Sequence, residues 1–148
     1  MQVILAADHG GFTPKNQIKL FLMERGYEVI DVGAMQLDPE DDFPDYVQEA
    51  VKRWQELPES RMILWCRSGA GVMIAANRFS GVYCSLALSE EQIISSTSDD
   101  HLNALAIAAD YVDVRLQEKW VEAFLTTPYS QDARFKRRLQ KIEDYAER

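Results

Sequence analysis

Short apolar runs alternate with longer mixed stretches along the whole chain. Five apolar runs have the length and composition of buried strands, and they span residues 2–7, 27–32, 62–65, 82–87 and 104–108. Six further stretches are predicted as helices, over residues 12–25, 45–54, 72–77, 90–97, 115–125 and 131–146. An acidic, proline-bearing stretch over residues 36–44 is typical of a loop. Because strands and helices alternate from end to end, we predict an α/β fold with a parallel sheet covered by helices on both faces.

The turn after the third predicted strand carries the clearest chemical signal. It has the sequence Cys66-Arg67-Ser68-Gly69-Ala70-Gly71 and leads directly into a predicted helix. A glycine-containing turn of this kind leaves backbone N–H groups free, and such groups favour an anion. Cys66 stands at the carboxyl end of its strand, where open α/β sheets bind their ligands. A thiol in that position can act as a base or a nucleophile.

The same turn also allows a purely structural interpretation. Cysteine is among the most buried residue types, and most strand-to-helix turns in α/β proteins bind no ligand. A cysteine-phosphatase loop is excluded, because it needs an arginine six positions after the cysteine and Val72 stands there. The pattern therefore favours an anion-binding turn without identifying the anion.

Composition and charge limit the partners that this chain can have. Its 148 residues are enough for one domain with a proper core, and 47% of them are apolar and 27% charged. The net charge of -8 argues against nucleic acid and anionic membranes, and no apolar run reaches membrane-spanning length. Two cysteines do not make a disulfide framework, which favours reduced thiols and a cytoplasmic protein. An anionic ligand must therefore meet a local basic cluster.

Asp8 and His9 follow the first predicted strand directly. In a doubly wound sheet the carboxyl ends of adjacent central strands meet, which brings these two residues near Cys66. A histidine there suits proton transfer or a hydrogen bond to a sugar hydroxyl. The alternative is that Asp8 caps the first helix and His9 is an ordinary turn residue.

Two charged segments in the last third of the chain are further candidates. Arg134 and Arg138 are four residues apart in a dense basic cluster, so one helix face could present both to a phosphate. The alternative is a solvated helix whose cations balance nearby carboxylates. Asp99 and Asp100 could bind a metal, but nothing else has ligand spacing, so we predict no metal site and expect them to end a helix or a turn.

Several segments, taken in their order along the chain, resemble those of the ribose-5-phosphate isomerase B and galactose-6-phosphate isomerase family (the RpiB/LacAB group). The resemblance lies in residues 7–12, 26–33, 42–46, 66–71, 74–77, 103–106 and 134–138, which span essentially the whole chain. It implies a single Rossmann-like domain over residues 1–148, a three-layer sandwich with a five-stranded parallel sheet. It also implies a dimer or higher homo-oligomer whose active sites lie between subunits, with the helix near 131–146 packed on a partner. Neither a cofactor nor a metal is implied.

The family resemblance implies a reaction and a set of residues for it. The reaction is the interconversion of an aldose and a ketose through a cis-enediolate, on ribose 5-phosphate or a related pentose or hexose phosphate. Cys66 would move the proton between adjacent sugar carbons. The enediolate oxygen would be stabilised by Ser68 and the N–H groups of Gly69, Ala70 and Gly71. The sugar hydroxyls and the phosphate would be held by Asp8, His9, Tyr46, Arg134 and Arg138.

The chain departs from the family pattern around its fifth strand and after its cysteine. The family has His-Asn-Asp-Ala-Asn before that strand, where the histidine opens the sugar ring and the first asparagine helps to hold the substrate. Here Asp99 stands at the histidine position, Asp100 at the asparagine position, and only Asn103 matches. A phosphate-binding arginine after the strand is replaced by Asp110, and the glycine after the cysteine is replaced by Arg67. Arg67 could supply the lost cation, or it could point outward.

Three interpretations of these departures stay open. An active isomerase could open the sugar ring with His101, two residues further on, or with Asp99. The chain could instead be the cysteine-bearing subunit of a two-chain isomerase, a heteromer whose other subunit supplies the histidine. It could also bind a sugar phosphate without turning it over. All three share a small-molecule sugar phosphate as the ligand.

Overall fold

The computed structural model describes residues 1–146 of the chain, in which every predicted element is present with ends that differ by a few residues. The five strands are β1 (Gln2–Ala7), β2 (Glu28–Asp31), β3 (Arg61–Cys66), β4 (Cys84–Leu86) and β5 (Ala104–Ala108). The six helices are α1 (Phe12–Glu24), α2 (Phe43–Glu56), α3 (Ala70–Ala76), α4 (Glu90–Asp100), α5 (Val114–Thr126) and α6 (Ala133–Ala146). The last two residues of the predicted domain, 147 and 148, lie outside the described residues.

All five strands lie in one parallel sheet in the order β2-β1-β3-β5-β4. Trp65 of β3 pairs with Ala7 of β1, and Cys66 pairs with Ala108 of β5. The carboxyl ends of the three central strands therefore lie side by side. The chain leaves β1 toward β2 on one side, whereas the later strands lie on the other side. Such a reversal opens the crevice in which α/β sheets bind ligands.

The sheet is buried on both faces, which explains the uninterrupted apolar runs of its central strands. Every residue of β3 and of β5 is buried. Side chains alternate between the two faces: Leu5 and Trp65 pack with α1 and α5, whereas Ala6 and Cys66 pack with α2 and α3. The predicted Rossmann-like three-layer sandwich with a five-stranded parallel sheet is confirmed.

A buried ion pair joins the first helix to the edge of the sheet. Lys15 in α1 directs its Nζ to both carboxylate oxygens of Asp31, at the end of β2, each at 2.7 Å. The two side chains are only 1% and 5% exposed. The Lys19 Nζ and the Gly33 N–H add one contact each to the same carboxylate, both at 3.1 Å. This network fixes α1 against β2.

The C-terminal helix lies beside the segment that precedes β4. Glu143 of α6 accepts hydrogen bonds from the Tyr83 hydroxyl at 2.7 Å and from the Ser80 hydroxyl at 3.0 Å. These contacts attach α6 to the segment before β4 of the same chain. Among residues 1–146, none of the helices is both long and apolar enough to cross a membrane.

Candidate functional site

The turn after β3 owes its shape to Gly69, which has a left-handed backbone with φ +72°. A Cβ atom added there would lie 2.5 Å from Leu86 Cδ1 and 3.0 Å from the Ala108 nitrogen. Cys66 lies on the floor of the turn with 6% of its surface exposed, and Ser68 is exposed at the rim. Because α3 begins with the next residue after Gly69, the N–H groups of residues 69–71 have no acceptor within the helix.

Gly69→Ala is expected to destabilise the fold and to distort this turn. An alanine in the left-handed region costs about 1–2 kcal/mol, and the contact with Leu86 adds steric strain. The measurement is urea unfolding at equilibrium, compared with Gly26→Ala, whose φ is +80° and which has open space around it. Equal losses for the two variants would contradict a role of the packing around Gly69.

The turn after β1 lies against the turn after β3. A Cβ added at Gly10 would lie 2.6 Å from Arg67 Cγ, so the two turns touch there. Asp8 is buried, and its Oδ1 accepts hydrogen bonds from the Gly10 N–H at 3.0 Å and the Gly11 N–H at 3.2 Å. Burial raises the pKa of Asp8 in spite of these two donors. The structure thus brings Asp8 and its neighbour His9 to the same edge of the sheet as the turn after β3.

A carboxylate from the loop after β2 holds His9. Asp41 Oδ1 lies 2.6 Å from His9 Nδ1 and also accepts the His9 backbone N–H at 3.0 Å. The Asp41 side chain is 7% exposed and the His9 side chain 24% exposed. Burial acts to raise the pKa of Asp41, but hydrogen bonds from His9 and from the Tyr46 hydroxyl outweigh it and lower this pKa. The hydrogen bond to Asp41 in turn raises the pKa of His9 above its usual value.

Sequence patterns alone do not single out Asp41. It belongs to the acidic stretch over residues 36–44, which is predicted only as a loop. Several carboxylates occur in this stretch, and nothing in their spacing tells which of them meets His9. The proximity of the loop to the strand ends is the one property of Asp41 that the sequence predicts.

Two aromatic residues at the start of α2 close this side of the site. The Phe43 ring covers the turn after β3, because a Cβ added at Gly71 would lie 2.7 Å from Phe43 Cζ. Tyr46 is partly buried, and burial together with the Asp41 carboxylate raises the pKa of its hydroxyl. Tyr46 therefore belongs to the same hydrogen-bonded group as His9 and Asp41.

The group around His9 is also where a cation could be held. Asp8, His9 and Asp41 each offer a ligand atom, and these atoms lie within 4.8 Å of one another. Among residues 1–146, no other set of three His, Cys, Asp or Glu side chains has such spacing. His9 and Asp41 already share a hydrogen bond, which an incoming ion would have to replace. The arrangement therefore has first of all the chemistry of an acid–base pair.

Arg67 forms an ion pair across the carboxyl ends of β3 and β5. Its Nη1 lies 3.1 Å from Asp110 Oδ2, and the Asp110 N–H donates to the Arg67 carbonyl at 3.0 Å. Both side chains are exposed, so the pair contributes little to stability and can open for a competing anion. The carboxylate at position 110 is thus neutralised by the arginine at position 67.

A second set of predicted site residues lies at the opposite ends of the strands, just before the amino end of β5. Asp99 and Asp100 end α4, as predicted, and His101 follows with a left-handed φ of 52°. The His101 Nε2 lies 2.9 Å from the Ser130 carbonyl oxygen, and its ring stacks on Tyr129 with centroids 4.9 Å apart. The His101 imidazole is therefore held by the segment that precedes α6.

Asn103 has backbone partners in the same region. Its Oδ1 accepts the Tyr83 N–H at 2.9 Å, and its Nδ2 donates to the Gly81 carbonyl at 2.7 Å. Both ends of the amide are thus occupied, and the side chain joins the start of β5 to the segment before β4.

The basic pair at the start of α6 is exposed and lies near Asp99. Arg134 Nη2 lies 2.7 Å from Asp132, and this contact lowers the pKa of Asp132 to about 2. Asp132, and to a smaller extent Asp99, raises the pKa of Arg134. Arg134 and Arg138 each lie 5.6 Å from the centroid of the Phe135 ring. The two guanidinium groups therefore share one face of the helix, as their spacing predicts.

The two sets of predicted residues do not meet within one chain. β3 and β5 are paired from Met62 and Ala104 at one end to Cys66 and Ala108 at the other. This distance corresponds to about 13 Å of strand. The set around Cys66 follows the carboxyl ends, whereas the set around His101 precedes the amino end of β5. A site that uses both sets therefore needs a second chain.

Comparison with known proteins assigns this architecture. The sequence matches the profile of the Ribose/Galactose Isomerase family over residues 3–142. The chain belongs to this family. The ribose-5-phosphate isomerase B of Mycolicibacterium paratuberculosis is 35% identical over 145 residues, which cover 98% of this chain and 91% of the relative.

Two solved structures of the ribose/galactose isomerase family have the same fold. Ribose-5-phosphate isomerase B from Mycoplasma genitalium, with bound ribulose-5-phosphate, has a TM-score of 0.92 at 30% identity and covers 99% of this chain and 96% of its own. The enzyme from Clostridium thermocellum has a TM-score of 0.93 at 29% identity, with 99% and 98% covered. The resemblance drawn from the sequence segments is confirmed. The matched residues include both Cys66 and Arg134, so both sets of predicted site residues belong to the family domain.

Proposed function

We propose that this chain interconverts an aldose phosphate and its ketose phosphate, as an intramolecular oxidoreductase of the ribose 5-phosphate/ribulose 5-phosphate type. The observation that carries the proposal is the placement of Cys66, Asp8 and His9 at one edge of the sheet in a chain of the ribose/galactose isomerase family. The Mycoplasma genitalium relative with bound ribulose-5-phosphate supports a five-carbon sugar phosphate as the first substrate to test.

Proton transfer between the two sugar carbons falls to Cys66 in this proposal. A base removes the proton next to the carbonyl group, the bond electrons form the enediolate, and a proton returns to the neighbouring carbon. Cys66 suits this role because its thiol lies on the floor of the turn, at the carboxyl end of a central strand. The electrons stay within the sugar, so the step needs no cofactor.

The enediolate needs donors where its negative charge develops. The exposed Ser68 hydroxyl and the N–H groups of Gly69, Ala70 and Gly71 serve this purpose, since those N–H groups have no acceptor within α3. One preorganised donor of this kind contributes about 3 kcal/mol to transition-state stabilisation. On the other side of the turn, Asp8, His9 and Tyr46 hold the sugar hydroxyls.

The complete site in this proposal is built from two chains. One chain supplies the residues around Cys66, at the carboxyl ends of the central strands. The other chain supplies Arg134 and Arg138 for the phosphate. Asp99, Asp100, His101 and Asn103 come from the same chain as these two arginines. The enzyme is then a homodimer or a larger homo-oligomer with α6 at the interface. Arg67, released from Asp110, adds a cation at the mouth of the site.

The purified chain is expected to incorporate deuterium from heavy water into ribose 5-phosphate and ribulose 5-phosphate at the carbons next to the carbonyl group. Exchange at these positions reports the enediolate directly, and NMR follows it. The same assay on free ribose and on hexose phosphates tests the need for the phosphate and the length of the sugar. Absence of exchange with every sugar phosphate would contradict isomerase activity of the lone chain.

A mixing experiment tests the shared site. Cys66→Ala and Arg134→Glu chains are each expected to be nearly inactive, because each lacks one half of every site. Joint refolding yields mixed dimers with one intact site, so about a quarter of the wild-type activity should return. Recovery of no activity would contradict a site that is shared between subunits.

A second candidate, the cysteine-bearing subunit of a two-chain isomerase, is favoured by Asp99 at the position of the ring-opening histidine. In that case the lone chain is stabilised by a sugar phosphate without turning it over, as a pure binding protein would be. Addition of a histidine-bearing homologue then separates the two, because it restores turnover only to the isomerase subunit. The two free thiols, Cys66 and Cys84, suit a cytoplasmic enzyme.

A further inference from the structure

A sugar phosphate in its closed-ring form must be opened before proton transfer, and the residue for this step is the open question at this site. His101 is one sequence-based candidate. Its Nε2 is engaged by the Ser130 carbonyl and its ring is stacked on Tyr129 within the same chain. The hydrogen-bond partner of His101 is thus a neutral carbonyl oxygen, whereas a carboxylate partner both orients a catalytic histidine and favours its protonated form. The chain has one other histidine, His9.

His9 has the geometry of an acid–base residue. Its Nδ1 and its backbone N–H both bind Asp41 Oδ1, at 2.6 Å and 3.0 Å. These two contacts fix the orientation of the ring and keep a proton on Nδ1. Within residues 1–146, the hydrogen bonds of the His9 ring involve Nδ1 only, so Nε2 is available to a ligand. The adjoining turn carries Cys66, the base of the following step.

We propose that His9 is the catalytic residue that opens the sugar ring and that Asp41 is the positioning residue that holds it. The inference rests on the proposed isomerase function. The protonated Nε2 gives its proton to the ring oxygen while the bond from that oxygen to the anomeric carbon breaks and its electron pair stays on the oxygen. The anomeric hydroxyl loses its proton to water and becomes the carbonyl group. Nothing is oxidised or reduced, and His9 regains a proton from water.

Charged groups from three elements set the protonation of His9. Asp41 comes from the loop after β2, Asp8 from the end of β1 and Arg67 from the end of β3. The hydrogen bond to Asp41 is the largest influence; both carboxylates favour the imidazolium, and Arg67 opposes it. The raised pKa of His9 keeps the imidazolium present to a higher pH, and it is lost as pH rises through that value. The rate of ring opening therefore decreases as pH rises above the pKa of His9.

Ribulose 5-phosphate separates ring opening from proton transfer. Its 5-oxygen is esterified, so this ketose cannot close a five-membered ring. His9→Asn is expected to consume ribose 5-phosphate roughly 10²-fold more slowly. The exchange of the ketose C1 proton with heavy water, at saturating ketose where weaker binding no longer limits the rate, should fall far less than aldose consumption. Asp41→Asn should show the same split in a milder form, with the alkaline limb of aldose consumption moved to lower pH.

A matched control and a substrate-free measurement complete the test. Asp38→Asn makes the same chemical change at an exposed position of the same loop and is expected to leave both rates unchanged. NMR titration of the imidazole of His9 in the free protein should show a lower pKa in Asp41→Asn and the wild-type pKa in Asp38→Asn.

Three results would overturn the proposal. They are equal losses of aldose consumption and ketose exchange in His9→Asn, an unchanged His9 pKa in Asp41→Asn, and the expected split in His101→Asn instead. Inactivity of the wild-type chain on every sugar phosphate would overturn the proposed function and the ring-opening role with it. The NMR titration would still decide whether Asp41 controls His9, which keeps the two failures distinguishable.

Discussion

Cys66→Ala is expected to abolish exchange between a sugar phosphate and heavy water, with a loss of about 10³-fold. The variant removes the only side chain that the proposed mechanism uses to take the carbon-bound proton. Sugar-phosphate binding should survive, because the groups that hold hydroxyls and phosphate are unchanged. NMR of the deuterated product measures the first effect, and ligand-induced thermal stabilisation measures the second.

Cys84 provides the matched control for this variant. It lies on β4, and burial raises the pKa of its thiol to about 12, so it cannot serve as a base near neutral pH. Cys84→Ala is therefore expected to retain the exchange reaction. An exchange rate of Cys66→Ala close to that of the wild type would assign the base to another residue. Loss of binding together with turnover would point to a structural role of Cys66.

Asp31→Asn is expected to lower the free energy of unfolding by about 3–5 kcal/mol. The substitution keeps the shape of the side chain but leaves the Lys15 ammonium buried and without its carboxylate, at 1% exposure. Equilibrium unfolding in urea measures the loss. Arg53→Gln is the control, because its ion pair with Glu56 is exposed and should contribute less than about 1 kcal/mol.

The same ion pair predicts a pH dependence of stability. Burial acts to raise the pKa of Asp31, but the hydrogen bond and charge of Lys15, together with hydrogen bonds from Lys19 and Gly33, outweigh it and lower the pKa. The stabilisation is therefore complete above the usual carboxyl pKa and is lost as pH falls through the lowered value. Asp31→Asn should lack this loss. The double variant Lys15→Met/Asp31→Leu, which buries no charge, should be more stable than Asp31→Asn, and a lower stability would contradict the explanation.

The sequence predicts the elements well where burial dominates and less well where polar residues continue an element. β3 and β5 are buried along their whole length, and their apolar runs indicate strands without ambiguity. α4 ends at Asp100, as expected from its two aspartates, but the apolar spacing predicts helix only to residue 97. The last turns consist of serine, threonine and aspartate, which add no apolar position to the pattern. Hydrophobic periodicity does not encode which strands are neighbours, so beyond the adjacent central strands expected of a doubly wound sheet the strand order is not predictable from these patterns.

The residues of the candidate site also differ in how far the sequence predicts them. Residues that directly follow a strand, such as Asp8 and Cys66, are predictable because the topology alone brings strand ends together. Asp41 and His9 are 32 positions apart, and Arg67 and Asp110 are 43 apart, so only the folded chain shows that they pair. Lys15 is missed for a different reason: lysine is rarely buried, and a helical pattern assigns it to the solvent.

The placement of the thiol and the guanidinium pair at opposite edges of one sheet has a consequence for how such a protein evolves. If each active site needs residues from two molecules, dilution should dissociate the dimer and abolish activity before any chain unfolds. A duplicated gene could then split the task, with one copy keeping the thiol edge and the other the basic edge. In such a pair each copy can lose the site residues that the other retains. Neither gene product is then active alone, so both genes must be kept together.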